Sequence, residues 1–118
     1  MRFCPWYPLD EASQRTPAAP NVLQVRVAIG LCPYPRGKSA MVHYQVADDA
    51  RAAAVTLAAR FRGQAGGQAL WCRHLTELEA ELEADLPAHL HAHYTKLLGD
   101  FVRRFGAAPS YPEELPAG

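Results

Sequence analysis

The sequence has no excess of charge of either sign. Its 118 residues include 12 Lys and Arg and 12 Asp and Glu, so the formal net charge is zero. Proteins that bind nucleic acid through their overall charge carry an excess of basic residues, so this composition excludes a global attraction to polyanions. The chain is also too short to bury a second core of comparable size, and we expect one globular domain.

Cysteine is scarce and long apolar runs are missing. Cys4, Cys32 and Cys72 are odd in number and lack the CxxC spacing of many metal and redox sites. The first residues contain no apolar stretch typical of a secretory signal, and no uncharged apolar run approaches the ~20 residues that cross a bilayer. We therefore expect reduced thiols, a cytoplasmic location and no membrane partner.

The balanced charge is unevenly distributed along the chain. Residues 1–73 carry nine basic and four acidic side chains, whereas residues 74–118 carry three and eight. Such an asymmetry is typical of a face that binds nucleic acid or an acidic protein surface. It also arises when two oppositely charged parts of one domain attract each other, which is the favoured interpretation.

Proline marks both ends of the chain. Four of the ten prolines lie in residues 1–20 and three in residues 107–118. Because proline removes a backbone donor, we predict an extended or turn-rich arm over 1–20 and an irregular tail over 107–118. The single domain then occupies residues 21–106. The aromatic residues of the arm indicate that it lies against this domain: Phe3, Trp6 and Tyr7.

Two segments alternate between apolar and polar residues, which predicts strands over 23–29 and 40–46. The intervening residues 30–38 are rich in proline and glycine and form a hairpin loop that is too short for a crossover helix, so the strands pair antiparallel. The side chains expected on the buried side of the first strand are Leu23, Val25, Val27 and Ile29.

The rest of the chain alternates between helix and strand signals. Apolar residues at helical spacing predict a helix over 48–62, begun by Asp48 or Asp49. Residues 69–75 alternate as a third strand, Thr76 and Glu79 form a capping box for a short acidic helix from about 77, and a last helix spans about 86–106. The expected fold class is α+β, with a small, mainly antiparallel three-stranded sheet in the order β-β-α-β-α-α packed with helices.

Two short segments on the predicted strands resemble motifs of a nuclease family. Asn21-Val22-Leu23 and His43-Tyr44-Gln45 occupy the positions of the tripeptides that name the GIY-YIG nucleases, and residues 47–51 are similar to the entry to that family's first helix. The resemblance covers residues 20–110. It implies phosphodiester cleavage by a Tyr on each strand, an Arg on the first helix and a metal-binding Glu on a later helix.

The residues that would carry this chemistry differ from the family pattern. Leu23 and His43 replace the two tyrosines, and Arg51 lies about two residues before the family's arginine. The sequence therefore predicts a non-catalytic GIY-YIG-like binding module with no cofactor and no metal. The alternative is a divergent nuclease that uses Mg or Mn, with His43 as the base. Its remaining candidate residues are Tyr44, Arg51 and either Glu79 or Glu83.

Basic residues of the hairpin, the first strand and the first helix are the candidate binding groups. The candidate partners are nucleic acid and an acidic protein surface, and with the second the module would have no nucleic-acid role. Arg36 and Lys38 lie at a hairpin tip that is expected to project and bind a partner. In the alternative interpretation, Gly37 supplies a turn with positive φ, and the two charges only keep the hairpin edge soluble. The set comprises Arg26, Arg36, Lys38, Arg60 and Arg62, with His43 and Arg51 beside them.

Several histidines and one cysteine are possible metal ligands. His89 and His93 share a helix face, and Cys72 and His74 share a strand face, but no compact four-ligand spacing links them. Surface histidines are the favoured interpretation. Cys72 with His74 also has the composition of a nucleophile and base, and a small buried thiol is the favoured alternative.

Overall fold

A four-stranded antiparallel sheet with helices on both faces forms the domain. The computed structural model describes residues 2–62, 69–76 and 85–111. Its elements, in chain order, are β1 (Tyr7–Pro8), a 3-10 helix (Leu9–Glu11), α1 (Ala12–Arg15), β2 (Asn21–Val27), β3 (Cys32–Tyr34), β4 (Gly37–Ser39), β5 (Met41–Ala47), α2 (Ala50–Arg62), β6 (Leu70–His74) and α3 (Leu86–Phe105).

The α+β class is confirmed, but the predicted strand number and order are wrong. The sheet has four strands in the order β1-β6-β2-β5, and β3 pairs with β4 in a separate ribbon within the expected hairpin loop. The fourth strand comes from the proline-rich arm, where Tyr7 pairs with Cys72 and Pro8 with Trp71. Two residues are too few to show an alternating pattern, and a proline is tolerated at a sheet edge because no partner there requires its N–H.

The antiparallel pairing of the two predicted strands is confirmed. β2 pairs with β5 from Asn21 opposite Ala47 onward, with a bulge between Val25 and Arg26. The strand ends at Val27, two residues earlier than predicted, and Ile29 is 61% exposed rather than buried. The positive φ in this loop belongs to Gly30, and Gly37 has none.

Side-chain alternation gives the sheet two differently covered faces. On the first, here called the α2 face, Leu23 and Val25 pack with Leu57 and Phe61 of α2 in the main core. On the second, the α3 face, Val22 and Leu75 pack against Leu90 of α3. β2 is therefore buried on both sides, whereas its alternating sequence predicts one buried face.

The helices at 50–62 and 86–105 match the prediction closely. α3 has Pro87 in its first turn and ends at Gly106, whose φ of 85° and hydrogen bond from its N–H to the Val102 carbonyl close the last turn. The expected acidic helix from residue 77 lies outside the described residues. No helix in the described ranges is long and apolar enough to cross a membrane.

The buried amide of Asn21 ties the start of β2 to the end of β6. Its Oδ1 accepts hydrogen bonds from the N–H groups of Val22 and Leu75 at 2.7 and 2.8 Å, and its Nδ2 donates to the Leu75 carbonyl at 2.9 Å. The residue is 2% exposed, so water cannot replace these bonds without opening the sheet.

Replacing Asn21 with Ala should lower the free energy of unfolding by about 3 kcal/mol, because it leaves buried backbone groups without partners. Urea unfolding monitored by circular dichroism measures the change. Asn21→Asp keeps the acceptor oxygen but cannot donate to Leu75, so it should also destabilise the domain. A cost within about 0.5 kcal/mol for both variants, as at an ordinary surface site, would contradict this account.

Candidate functional site

The described residues of the nuclease alternative, His43, Tyr44 and Arg51, do not converge. His43 and Tyr44 are neighbours on β5 and therefore point to opposite faces of the sheet. His43 bonds Gln45 through Nε2 at 2.9 Å, and its ring lies 6.4 Å from that of Phe61 on α2. Tyr44 instead contacts Phe101 of α3, with ring centroids 5.5 Å apart.

Arg51 lies at the other end of α2 from His43. Its Nε donates to the carbonyl of Thr16 at 2.7 Å, which fastens the arm to the helix start. Phe61, which contacts His43, follows ten residues later, and this spacing corresponds to about 15 Å along a helix axis. Glu79 and Glu83 lie outside the described residues. The placement of His43, Tyr44 and Arg51 therefore gives no shared cleft for phosphodiester hydrolysis.

The hairpin tip was expected to project freely, but Arg36 at this tip is hydrogen-bonded to α3. The N–H of Arg36 donates to the Phe105 carbonyl at 3.0 Å, and its Nη1 donates to the Arg103 carbonyl at 3.0 Å. A cation at these carbonyls suits the negative end of the α3 dipole, so Arg36 caps that helix. Lys38, two residues later, is exposed.

The two binding candidates on α2, Arg60 and Arg62, lie near the end of the helix. The Arg60 guanidinium lies 5.4 Å from the centre of the adjacent Phe61 ring and is exposed. Arg62 ends the helix, and its side chain is outside the described part of the structure. Arg26 is the residue of the sequence-derived set that lies beside aromatic side chains and a second arginine.

Arg26 belongs to a group of arginine and tryptophan side chains on the α3 face. It pairs in register with Trp71 of β6. Two residues further along the same strands, Gln24 pairs with Arg73. The arm adds Trp6, whose ring centre lies 4.3 Å from the Arg73 guanidinium and 5.5 Å from that of Arg26. We call Trp6, Arg26, Trp71 and Arg73 the Arg–Trp surface.

Hydrogen bonds and ring contacts hold both guanidinium groups in place. Arg73 donates from Nε to Oε1 of buried Gln24 at 2.7 Å and lies 4.5 Å from the Phe3 ring. Arg26 donates from Nε to the Val27 carbonyl at 3.1 Å. Each arginine thus uses Nε internally, and its terminal nitrogens form no hydrogen bond to a described residue.

Two positive charges share this surface without a described carboxylate. The ion pairs found between described side chains join Arg15 to Glu11 and Arg103 to Asp100, on other parts of the molecule. Burial lowers the pKa of Arg73, and the nearby charge of Arg26 lowers it further. A bound anion would offset both the desolvation and the repulsion.

A cavity of about 240 Å³ opens at the Arg–Trp surface and is lined by Trp6, Arg26, Ala28 and Trp71. It is smaller than the ~300 Å³ lower limit of drug-sized sites, which suits one planar ring rather than a whole cofactor. Of the four residues of this surface, Arg26 alone was predicted from the sequence to bind a partner. Trp71 and Arg73 lie on the same side of the predicted third strand, and an aromatic residue alternating with an arginine was the available signal.

A polar cluster is buried on the opposite face of β6. The Tyr7 hydroxyl lies 2.8 Å from Nδ1 of His74 and 2.7 Å from Oγ1 of Thr16, and it hydrogen-bonds both groups. Cys4 Sγ lies 3.7 Å from the same Nδ1 and accepts a hydrogen bond from the His74 N–H at 3.5 Å. His74 thus pairs with the arm, and Cys72, two residues away, is a buried thiol, which is the interpretation that the sequence favoured.

The possible metal ligands are not assembled into a site. His89 Nδ1 bonds the Asp85 carbonyl at 2.9 Å, while His93 contacts Phe3 on the α3 face, away from Cys72 and His74. Among the described residues, no group of three or more His, Cys, Asp or Glu side chains is placed to hold a metal ion.

No protein-family model, curated protein or solved structure matches this chain. The resemblance to GIY-YIG nucleases stays a prediction from the sequence. The Arg–Trp surface therefore has to be interpreted from its own geometry and charge.

The three free thiols differ in accessibility, so they should react with iodoacetamide in a fixed order. Cys4 is half-buried, whereas Cys32 and Cys72 are 2% and 0% exposed. Burial raises the pKa of Cys32 and raises that of Cys72 to about 11, which leaves little thiolate at neutral pH. Peptide mass spectrometry of the native protein should find Cys4 labelled first, and Cys4→Ser should take up almost no label. Earlier labelling of Cys32 would contradict this order.

His74 should make the domain less stable in mild acid. Burial lowers its pKa, so the unfolded chain binds this proton more readily than the folded one. The free energy of unfolding should therefore fall as the pH drops below about 6.5, the ordinary histidine value. His74→Gln should flatten the fall in urea midpoint with decreasing pH, whereas Tyr7→Phe, which keeps the imidazole, should retain it. Equal slopes in wild type and His74→Gln would exclude this source of acid sensitivity.

Proposed function

We propose that this protein is a non-catalytic module that binds single-stranded nucleic acid through the Arg–Trp surface. The observation that carries the proposal is the placement of two arginines and two tryptophans on one partly open sheet face, without a described carboxylate beside them. Arg26 is shared with the binding set expected from the sequence. The sequence predicted a binding site on the hairpin and on the helix at 48–62, whereas the Arg–Trp surface lies on the sheet.

The side chains of the Arg–Trp surface favour single-stranded nucleic acid over a duplex. Unpaired bases expose their flat faces and stack on aromatic side chains, with about 1–3 kcal/mol per base, while arginines contact the phosphates. A duplex hides those faces, so the tryptophans would have nothing to stack on. The cavity between Trp6, Arg26 and Trp71 is of a size for one such base.

Two alternatives fit the same surface less well. An acidic protein would satisfy the arginines, but carboxylates make little use of the flat tryptophan faces. A nuclease would need its base and its arginine in one cleft, and His43 and Arg51 lie near opposite ends of α2. A GIY-YIG-like ancestry stays compatible with a binding module, and the proposal does not depend on it.

Tryptophan fluorescence provides a direct test, because Trp6 and Trp71 are the two tryptophans of the chain. Oligothymidylate and a single-stranded RNA should quench this fluorescence at about 50 mM salt, a condition that favours phosphate contacts. Trp71→Ala should weaken binding by about 1–3 kcal/mol with little change in salt dependence. Arg26→Gln should reduce the slope of log affinity against log salt by about 0.7.

Arg60→Gln is the matched control, since Arg60 is an exposed arginine that lies on α2, outside the Arg–Trp surface. It should bind like the wild type. Equal loss in Arg60→Gln and Arg26→Gln would indicate diffuse electrostatic attraction instead of a site. Absence of binding to either single strand would reject the nucleic-acid function, and tighter binding to an acidic polypeptide than to oligothymidylate would favour a protein partner.

A further inference from the structure

A second cavity, of about 380 Å³, lies where the hairpin meets the end of α3. Its basic groups are Lys38 of β4 and Arg104 of α3, and its floor includes Met41 and Tyr44 of β5 and Phe101 of α3. Tyr44 and Phe101 meet edge to face, so this floor is held by packing between the sheet and the helix.

The two basic groups of this cavity have no described acidic partner. Arg103, one residue before Arg104, is paired with Asp100, whereas Arg104 lies 5.2 Å from the ring of Phe105. Lys38 is exposed on a two-stranded ribbon whose tip is fixed by the bonds of Arg36 to α3. The charges are therefore presented on an ordered frame, which reduces the conformational entropy that binding would cost.

The two cavities adjoin across one pair of strands. Arg26, which lines the first cavity, is the register partner of Met41, which lines the second. The N–H of Val27 also donates to the carbonyl of Ala40 at 2.9 Å, so the walls share a hydrogen-bonded ladder. Neighbouring strands lie about 4.8 Å apart, and the step from Trp71 across Arg26 to Met41 covers about 10 Å.

We propose that Lys38 and Arg104 form a second phosphate subsite of the same binding surface. This inference rests on the proposed function. A single strand with one base at Trp6 and Trp71 crosses β2 at Arg26 and places a neighbouring phosphate between Lys38 and Arg104. The minimal ligand is then longer than a mononucleotide, and it lies across the strands of the sheet rather than along them.

Affinity measured against ligand length tests the subsite. Thymidine monophosphate, the dinucleotide and longer oligothymidylates should bind the wild type with increasing affinity. The double variant Lys38→Gln, Arg104→Gln should lose the gain on lengthening and reduce the salt slope by about 0.7 for each phosphate contact removed. Quenching of tryptophan fluorescence by the monophosphate should stay unchanged, because the first cavity is intact.

Arg103→Gln is the matched control, because it removes a neighbouring arginine that is already paired with Asp100. It should retain the length dependence, and thermal melting of all variants should confirm that they fold. If long oligomers bind the double variant as tightly as the wild type, the subsite is wrong and the proposed function stands. If no oligomer binds the wild type, both the subsite and the proposed function are wrong.

Discussion

The pairing of β6 with both β1 and β2 is the constraint on which the rest of the structure depends. It joins the first residues of the chain to a strand more than sixty residues later, and it sets which side chains share a face. Because neighbours along β6 alternate between faces, Trp71 and Arg73 lie on one side, while Cys72 and His74 lie on the other. A shift of one residue would exchange the two sets and remove both clusters.

Local sequence patterns were sufficient for the elements whose apolar spacing repeats. The strands around 21–27 and 41–47 and the helices at 50–62 and 86–105 were predicted because apolar residues recur in each at strand or helix spacing, although β2 is buried on both sides. The edge strand at Tyr7–Pro8 was not predicted, since its two residues form a strand only after β6 is in place. Ile29 was expected inside because the alternation continues past the last residue that pairs with β6.

Most residues of the candidate site could not be predicted from the sequence, for a related reason. Arg26 was identified by charge alone, but Trp6 and Arg73 become neighbours only through pairing across distant segments. The basic residues that the sequence emphasised have other contacts: Arg36 caps a helix and Arg51 fastens the arm. Net charge was equally uninformative, because a neutral chain can still place two arginines side by side without a carboxylate from the described residues beside them.

The shortness of β1 also affects how this sheet meets other copies of itself. An exposed sheet edge offers unpaired N–H and carbonyl groups to any passing strand, which is a common route to aggregation. At this edge the strand has two residues, and Pro8 has no N–H to offer. The arm that supplies Trp6 to the surface therefore also ends the sheet on this side, and at this edge it leaves a second molecule little backbone on which to extend a β-ladder.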